Sequence, residues 1–388
     1  MAAPLVVTLV AHDIGPVGGM ERQLSELALG LCRSGHDVSV IARTCELPEG
    51  SGVRIHRVWA PRRPFLLGYA WWMVMGSLAV RRHRRGLVQT AGAIVLNRVD
   101  VIAVHCCHQV YRPPAPGDAP AQRAYAAFVS LVKRTVERVC FTANTRARFV
   151  CVSNGVADEI RRYYPRTRSR VLTIHNGVDL ETFSPGARAA DSLALRERLA
   201  LTQDRLLLAF VGGSWEHKGL PSLIRALAGA DGWDVLVAGP GDPRRLSDLA
   251  EEMGVGERVH WLGVVRDMPP VYGAADAFAL PSLYETFSLV TFEAAASGLP
   301  VLATPVSGVS ELISDGRSGF VIDRDPALIA ERLRRLESDP QLRASIGAAA
   351  RAAAMDFSWQ RMIAAHEELY RQLRAGCPQT TAHSAALD

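Results

Sequence analysis

Lysine is almost missing from this chain. Of 44 basic residues only Lys133 and Lys218 are lysines, so the positive charge sits on arginine nearly everywhere. Paired cysteines are missing too. The seven cysteines, Cys32, Cys45, Cys106, Cys107, Cys140, Cys151 and Cys377, are odd in number and scattered, with no C-x-x-C spacing. That excludes a disulfide framework, offers no zinc-ligand pattern and points to a reducing compartment. No basic stretch precedes the apolar N-terminal run, which reaches an acid at Asp13, so it reads as a first strand rather than a secretory signal. A long hydrophobic run is also lacking: residues 65–80 are uncharged, whereas a spanning helix needs about 20 such residues.

What is present is an ordinary globular composition, 48% hydrophobic and 21% charged over 388 residues, enough for two domains with full cores. The net charge of +5 conceals an asymmetry: residues 1–180 hold 24 basic and 12 acidic side chains, a balance of +12, which leaves −7 for residues 181–388. A basic N-terminal half suits an anionic membrane or an anionic acceptor. No helix-turn-helix, zinc or RNA-binding signature accompanies the charge, so nucleic acid is not expected as a partner. The run at 65–80 contains Trp71 and Trp72 and is followed by Arg81, Arg82, Arg84 and Arg85. Two readings stay open: an interfacial membrane anchor, or a helix packed on a sheet with cations at its C-terminal end.

Strand and helix patterns alternate throughout, which argues for parallel sheets covered on both faces. Strands are expected near 4–11, 37–42, 53–59, 93–96, 100–104, 149–152 and 170–174, then near 206–211, 234–238, 258–261, 277–280, 300–302 and 319–322. Among the helices, 66–84, 121–139, 289–297 and one long helix at 326–354 stand out. The fold class is α/β with two Rossmann-like, doubly wound domains: residues 1–178 for the acceptor, a polar linker from 176 to 200, and residues 179–356 for the donor. A last helix at 357–375 is expected to pack back on the first domain, and residues 376–388 form a mobile tail.

The chemistry concentrates in the second half. Glu285 and Glu293 flank a loop-to-helix transition, with seven residues between them. Residues 287–290 between them would present backbone N–H groups at a helix start, a natural site for phosphate, which leaves Glu293 to grip a neutral hydroxyl pair such as a ribose. Upstream, a buried strand, the glycine turn of Gly212 and Gly213, and a helix opening near Gly219 place Lys218 at the C-terminal edge of a sheet, where doubly wound folds bind ligands. The rarity of lysine makes that ammonium conspicuous. In the first half, glycines 15, 18 and 19 open a helix without the dinucleotide G-x-G-x-x-G pattern. His105 follows a strand, with His108 close behind; each is either structural or a crevice residue. Asp323 and Asp325 precede a proline, so helix capping explains them better than a metal.

Taken together, GPVGGMER, IHNGVD, FVGGSWEHKG and ETFSLVTFEAAASGLPVLAT resemble the retaining nucleotide-sugar glycosyltransferases of family 4, over nearly the whole chain. The resemblance implies the GT-B fold, two Rossmann-like domains facing across a cleft. It implies that Glu293 holds the donor ribose, that Phe287, Ser288, Leu289 and Val290 contact diphosphate and sugar through backbone, and that Glu285 binds the donor sugar. Lys218 would neutralise the pyrophosphate, Gly18 and Gly19 would close over it, and His105 would lie near the reacting carbon. Many members have arginine where Gly213 stands, which moves one phosphate contact, with Ser214 or His217 as replacements. Ser288 stands where glycine is usual, and a serine there is comfortable only if its φ is negative.

The expected function is retaining transfer of a sugar from a nucleotide sugar to a hydroxyl, without metal or cofactor. The acceptor is expected to be an envelope glycan or glycolipid, with a natural product second. The expected setting is the cytoplasm, the inner face of the cell membrane included. A sugar-nucleotide epimerase of the same fold and a non-catalytic nucleotide-binding subunit are the alternatives. A glycosidase reading of the two glutamates gives no reason for Lys218 or the glycine turns.

Overall fold

A computed structural model describes residues 3–111, 120–202 and 204–376. The N-terminal strands are β1 (Val6–Val10), β2 (Asp13–Ile14), β3 (Asp37–Ala42), β4 (Thr44–Cys45), β5 (Arg54–Arg57), β6 (Leu87–Ala91), β7 (Val101–Val104), β8 (Arg148–Cys151) and β9 (Val171–Thr173). Seven of them form a sheet of order β5-β3-β1-β6-β7-β8-β9, and β2 pairs separately with β4. The later strands, β10 (Leu206–Val211), β11 (Trp233–Ala238), β12 (Val259–Gly263), β13 (Ala277–Leu280), β14 (Val301–Ala303) and β15 (Phe320–Val321), form a six-stranded sheet of order β12-β11-β10-β13-β14-β15. Every pairing with a defined register is parallel. Such sheets are buried on both faces, and β11 and β13 are accordingly buried at every position.

Helices α1 (Gly19–Arg33), α2 (Phe65–His83), α3 (Pro120–Ala143) and α4 (Asn154–Tyr163) accompany the first sheet. Along the rest of the chain come α5 (Ala189–Arg198), α6 (Leu220–Leu227), α7 (Arg244–Glu252), α8 (Pro269–Ala274), α9 (Leu289–Ala296), α10 (Val309–Leu312), α11 (Pro326–Ser338), α12 (Pro340–Ala354) and α13 (Trp359–Ala375). By contact density the chain groups into two compact units. One is Met1–Ala103, Arg138–Phe149 and Met362–Asp388; the other is Val104–Glu137 and Val150–Arg361. Within the first, α13 packs on α1: a Cβ on Gly30 would lie 2.1 Å from Ile363 Cδ1, and Tyr370 Oη donates to Gln89 Oε1 at 2.8 Å. Within the second, the Arg351 guanidinium of α12 donates to the carbonyls of Leu180, Phe183 and Ala296, fixing the C-terminal end of α9.

Several sequence expectations need correction. The strand expected at 93–96 lies instead at Leu87–Ala91, because Gly92 turns left-handed at φ 81 and ends it. The apolar AIVL run is the turn that follows. The 176–200 linker contains α5, whose Arg196 donates to the carbonyls of Ala274 and Arg205. The long helix expected at 326–354 is two, α11 and α12, since Pro340 cannot continue the first and Asp339 caps the second through Leu342 N at 2.8 Å. The tail expected to be mobile at 376–388 lies outside the described residues from 377 onward.

Candidate functional site

The site grows from the ends of β10 and β13, adjacent strands of the six-stranded sheet. After β10, Gly212 takes φ 139, and a Cβ there would meet Lys218 Cδ at 2.7 Å, so the bare glycine lets the lysine stem lie against the turn. Trp215 Nε1 donates to Gly212 O at 2.9 Å and Lys218 N to Ser214 O at 3.0 Å, which curls residues 212–218 into a rigid hook. After β13 the chain crosses this hook, with Leu283 N donating to His217 O at 3.0 Å. Gly219 permits the crossing, since a Cβ on it would lie 2.3 Å from Pro281 O.

At this crossing Lys218 Nζ donates to Glu285 Oε1 at 2.6 Å, and Ser282 Oγ donates to the same oxygen at 2.8 Å. The two side chains are 19% and 14% exposed, so the pair is largely withdrawn from water but open on one side. Next comes α9, whose first two N–H groups, on Leu289 and Val290, have no intrahelical acceptor, while Thr291 N donates to Ser288 O at 2.9 Å. Phe287 is buried and stacks on Phe292 with centroids 4.1 Å apart, while Gly308 lies so close that a Cβ would meet Phe287 Cα at 2.6 Å. Glu293 is buried in α9 and accepts from Tyr272 Oη at 3.0 Å.

Ser288 departs from expectation. Its φ is 68, in the left-handed region, with Oγ 2.8 Å from Thr291 Oγ1. A left-handed non-glycine residue costs about 1–2 kcal/mol, and this local hydroxyl contact offsets part of that. Gly213 has a normal φ, but a Cβ there would sit 3.2 Å from Pro240 Cγ, so a larger residue requires Pro240 to give. Ser214 is exposed and left-handed at φ 51; His217 is half-buried.

His105 directly follows β7 and is half-buried. Its loop reaches the Glu285 loop through Tyr111, whose ring lies 5.4 Å from that of Tyr284. Tyr284 Oη donates to Glu159 Oε2 of α4 at 3.1 Å. Behind this layer Glu137 of α3 accepts from Tyr164 Oη at 2.6 Å and from His108 N at 3.1 Å. Burial raises the Glu159 carboxyl, and it carries that of Glu137 to about 7. Burial also pushes the Cys106 and Cys107 thiols up to about 12 and depresses His108 to about 4, so no thiolate nucleophile is available here. Gly18 and Gly19 belong to the other unit, where Gly18, at φ 92, precedes the first residue of α1. Asp323 accepts from Asp325 N, and Asp325 caps α11 through Ala327 N.

Comparisons with known proteins show the family. The description "Glycosyltransferase Family 4" matches residues 17–182, and "Glycosyl transferases group 1" matches residues 191–353. D-inositol 3-phosphate glycosyltransferase of Xylanimonas cellulosilytica is 32% identical, over 92% of this chain and 92% of its own. Its counterpart in Thermobifida fusca is 31% identical, over 94% of this chain and 92% of its own. This chain belongs to glycosyltransferase family 4. Its GT-B fold is shared with sucrose-phosphate synthase from Thermosynechococcus elongatus, at TM-score 0.78 and 22% identity over 96% of this chain and all of that one. It is shared too with WaaG, a glycosyltransferase involved in lipopolysaccharide biosynthesis, at TM-score 0.75 and 21% identity over the same shares. The chain is therefore an enzyme that transfers sugars.

For this family 4 enzyme, sequence reasoning missed Tyr272, Ser282, Tyr284 and Glu159. Ser282 was within reach, three residues before Glu285. Tyr272 and Glu159 gave no local signal, because each meets its partner only through the tertiary fold.

Two predictions follow from this geometry. Ser288→Gly should leave stability within about 0.5 kcal/mol, since backbone relief offsets the lost hydroxyl contact and the freer unfolded chain. Ser288→Val, β-branched at positive φ, should lose about 2 kcal/mol in urea unfolding and lower turnover. Glu137 concerns pH. Its folded value near 7 lies above the ordinary 4.5, so the stability it adds is complete below pH 4.5 and gone above about 7. Wild type should lose up to about 3 kcal/mol across that window, and Glu137→Gln markedly less, in urea titrations at several pH values. Equal slopes for both proteins would show that Glu137 does not titrate as described.

Proposed function

We propose that this enzyme moves a glycosyl group from a nucleoside-diphosphate sugar to a hydroxyl with retention of anomeric configuration. The observation that carries the reading is the Lys218–Glu285 pair beside the start of α9. A diphosphate offers Lys218 a stronger anionic partner than one carboxylate, and the α9 amides a second point of attachment. Lys218 then turns to the phosphate, and Glu285 becomes available to sugar hydroxyls. Glu293, steadied by Tyr272, is the acceptor for the ribose hydroxyl pair. Phe287, Ser288, Leu289 and Val290 supply backbone contacts to diphosphate and sugar. His105, at the end of β7, is the proposed neighbour of the reacting carbon.

In the proposed step the bond from the anomeric carbon to the phosphate oxygen breaks, and the bond to the acceptor oxygen forms on the same face. The acceptor's proton passes to the departing phosphate. The protein stabilises the charge that grows on the diphosphate through Lys218 and the α9 amides, without a metal. Cys106 and Cys107 beside His105, kept as thiols by burial, are poor nucleophiles and have no role in this step. Support for the donor class comes from HepE of Anabaena, of the same fold at TM-score 0.73, which is seen with UDP-glucose. Support for an envelope or glycolipid acceptor comes from WaaG and from the +12 balance of residues 1–180. The proposed setting is the cytoplasm, at the inner face of the membrane.

A panel of nucleoside-diphosphate sugars scanned by thermal shift should identify the donor, because a ligand that binds only the folded chain raises its melting temperature. NMR of the product made from that donor should show the anomeric configuration of the donor; an inverted centre ends the retention reading. Lys218→Ala should lower turnover by about 10²-fold or more with folding intact. Undiminished turnover in that variant removes the role given to Lys218.

A further inference from the structure

Helix α2 has two apolar faces, and its own unit covers only one. Inward, Trp72 is fully buried with its ring 4.9 Å from that of His12, and Gly76 makes room for the indole at 3.1 Å. Of the two tryptophans considered for an anchor, Trp72 is thus a core residue. Outward, Leu67, Trp71, Val74 and Leu78 recur at the four- and three-residue steps of a single stripe, and each is between 41% and 55% exposed. Trp59, 72% exposed, stands edge-on to Trp71 at 5.7 Å, and Trp71 Nε1 donates to Trp59 O at 3.0 Å. The Trp71 indole N–H is therefore satisfied internally, and its ring can enter an apolar phase without stranding a donor. An exposed apolar stripe of this extent on a soluble-looking helix calls for a partner.

The surrounding charge says which partner. Between Glu49 and Asp100 there are nine arginines and no acidic residue. Arg62 and Arg63 stand before α2, while Arg81, Arg82 and Arg84 close it, all exposed and in no ion pair among the described residues. Arginines at both ends of an exposed Trp–Leu stripe fit a plane of negative headgroups over a hydrocarbon layer. A protein partner or second copy would need a matching acidic rim, and this face offers a copy only like charge. No described helix is long and apolar enough to cross a membrane, and α2 is buried along half its circumference, so it lies in the interface rather than through it.

We propose that the outward face of α2, with Trp59, docks this enzyme on an anionic lipid bilayer, the helix axis parallel to the surface. The stripe enters the headgroup boundary, and the flanking arginines meet lipid phosphates. This deepens the membrane setting suggested above but rests on its own observations, and its test needs neither donor nor acceptor.

The test is co-sedimentation of the full chain with vesicles of phosphatidylcholine alone or with phosphatidylglycerol, at low and high salt. Binding is expected only with phosphatidylglycerol, weakening as salt screens the charges. The paired exposed substitutions Trp71→Ser with Val74→Ser, and separately Arg81→Gln with Arg82→Gln, should each weaken it by roughly tenfold or more with melting temperature unchanged. Failure of the wild type to bind phosphatidylglycerol vesicles at low salt overturns the proposal. So does binding by both variants that is as tight as that of the wild type, or a wild-type dimer in light scattering that the Trp71 variant dissociates. Because the assay contains no sugar nucleotide, a negative result leaves the transfer chemistry untouched, and a failed donor panel leaves the docking face untouched.

Discussion

The Lys218–Glu285 contact is the constraint around which the second unit is organised. An ammonium and a carboxylate in a largely dehydrated place each offset the hydration the other has lost. The pair also keeps part of its surface in contact with solvent. Ser282 holds the carboxylate from one side while the lysine stem lies along Gly212. Under the proposed function, binding a diphosphate would be an exchange of anions at Lys218, not the creation of a new charge.

Sheet topology explains why residues 67 apart in sequence meet here. The strand order runs outward from β10 in two directions, to β11 and β12 on one side and to β13, β14 and β15 on the other. At such a reversal the loops leaving adjacent strands diverge, and a crevice opens at their carboxyl ends. Gly212 and Gly239 keep the loop backbones close on one flank, where a Cβ on Gly239 would lie 2.3 Å from Gly212 O. On the other flank Gly219 and Gly308 admit Pro281 and Phe287. Small residues here set distances between backbones, and those distances set where the amides of α9 and the Lys218 ammonium fall.

Much of this was legible in the chain. The scarcity of lysine singled out Lys218, and the two glutamates astride a loop-to-helix transition named the rest of the charge set, because both features are local in sequence. The six strands of the second sheet were legible for the same reason, as short buried runs closed by glycine or proline. The strand at Leu87–Ala91 was not, since LVQTA carries two buried polar residues, and Gln89 meets its partner, Tyr370 of α13, only through the fold. Helix α5 hid inside polar composition, and Asp339–Pro340 was a stop signal overridden by the apolar period on either side. Tyr272, Tyr284 and Glu159 lay beyond sequence reading because their hydrogen bonds join elements that only the fold brings together.

Backbone strain follows the same map. Among the described residues four non-glycines adopt positive φ: Arg188, Ala200, Ser214 and Ser288. The first two bracket α5, where they begin and end a helix. Ser214 and Ser288 are in the two loops of the candidate site, on either side of the Lys218–Glu285 crossing. Left-handed serines are disfavoured wherever glycine is possible, so their presence requires that neighbouring contacts fix the backbone. At Ser214 those contacts are the Lys218 amide and the Trp215 indole locking the hook, and at Ser288 they are Thr291 and the packing of Phe287 against Gly308. The same contacts that hold the strained residues also aim the ammonium and the helix start. Rigidity at these two loops is therefore a property of the surrounding core, which is why a site of few charged groups needs so many buried aromatic and glycine contacts behind it.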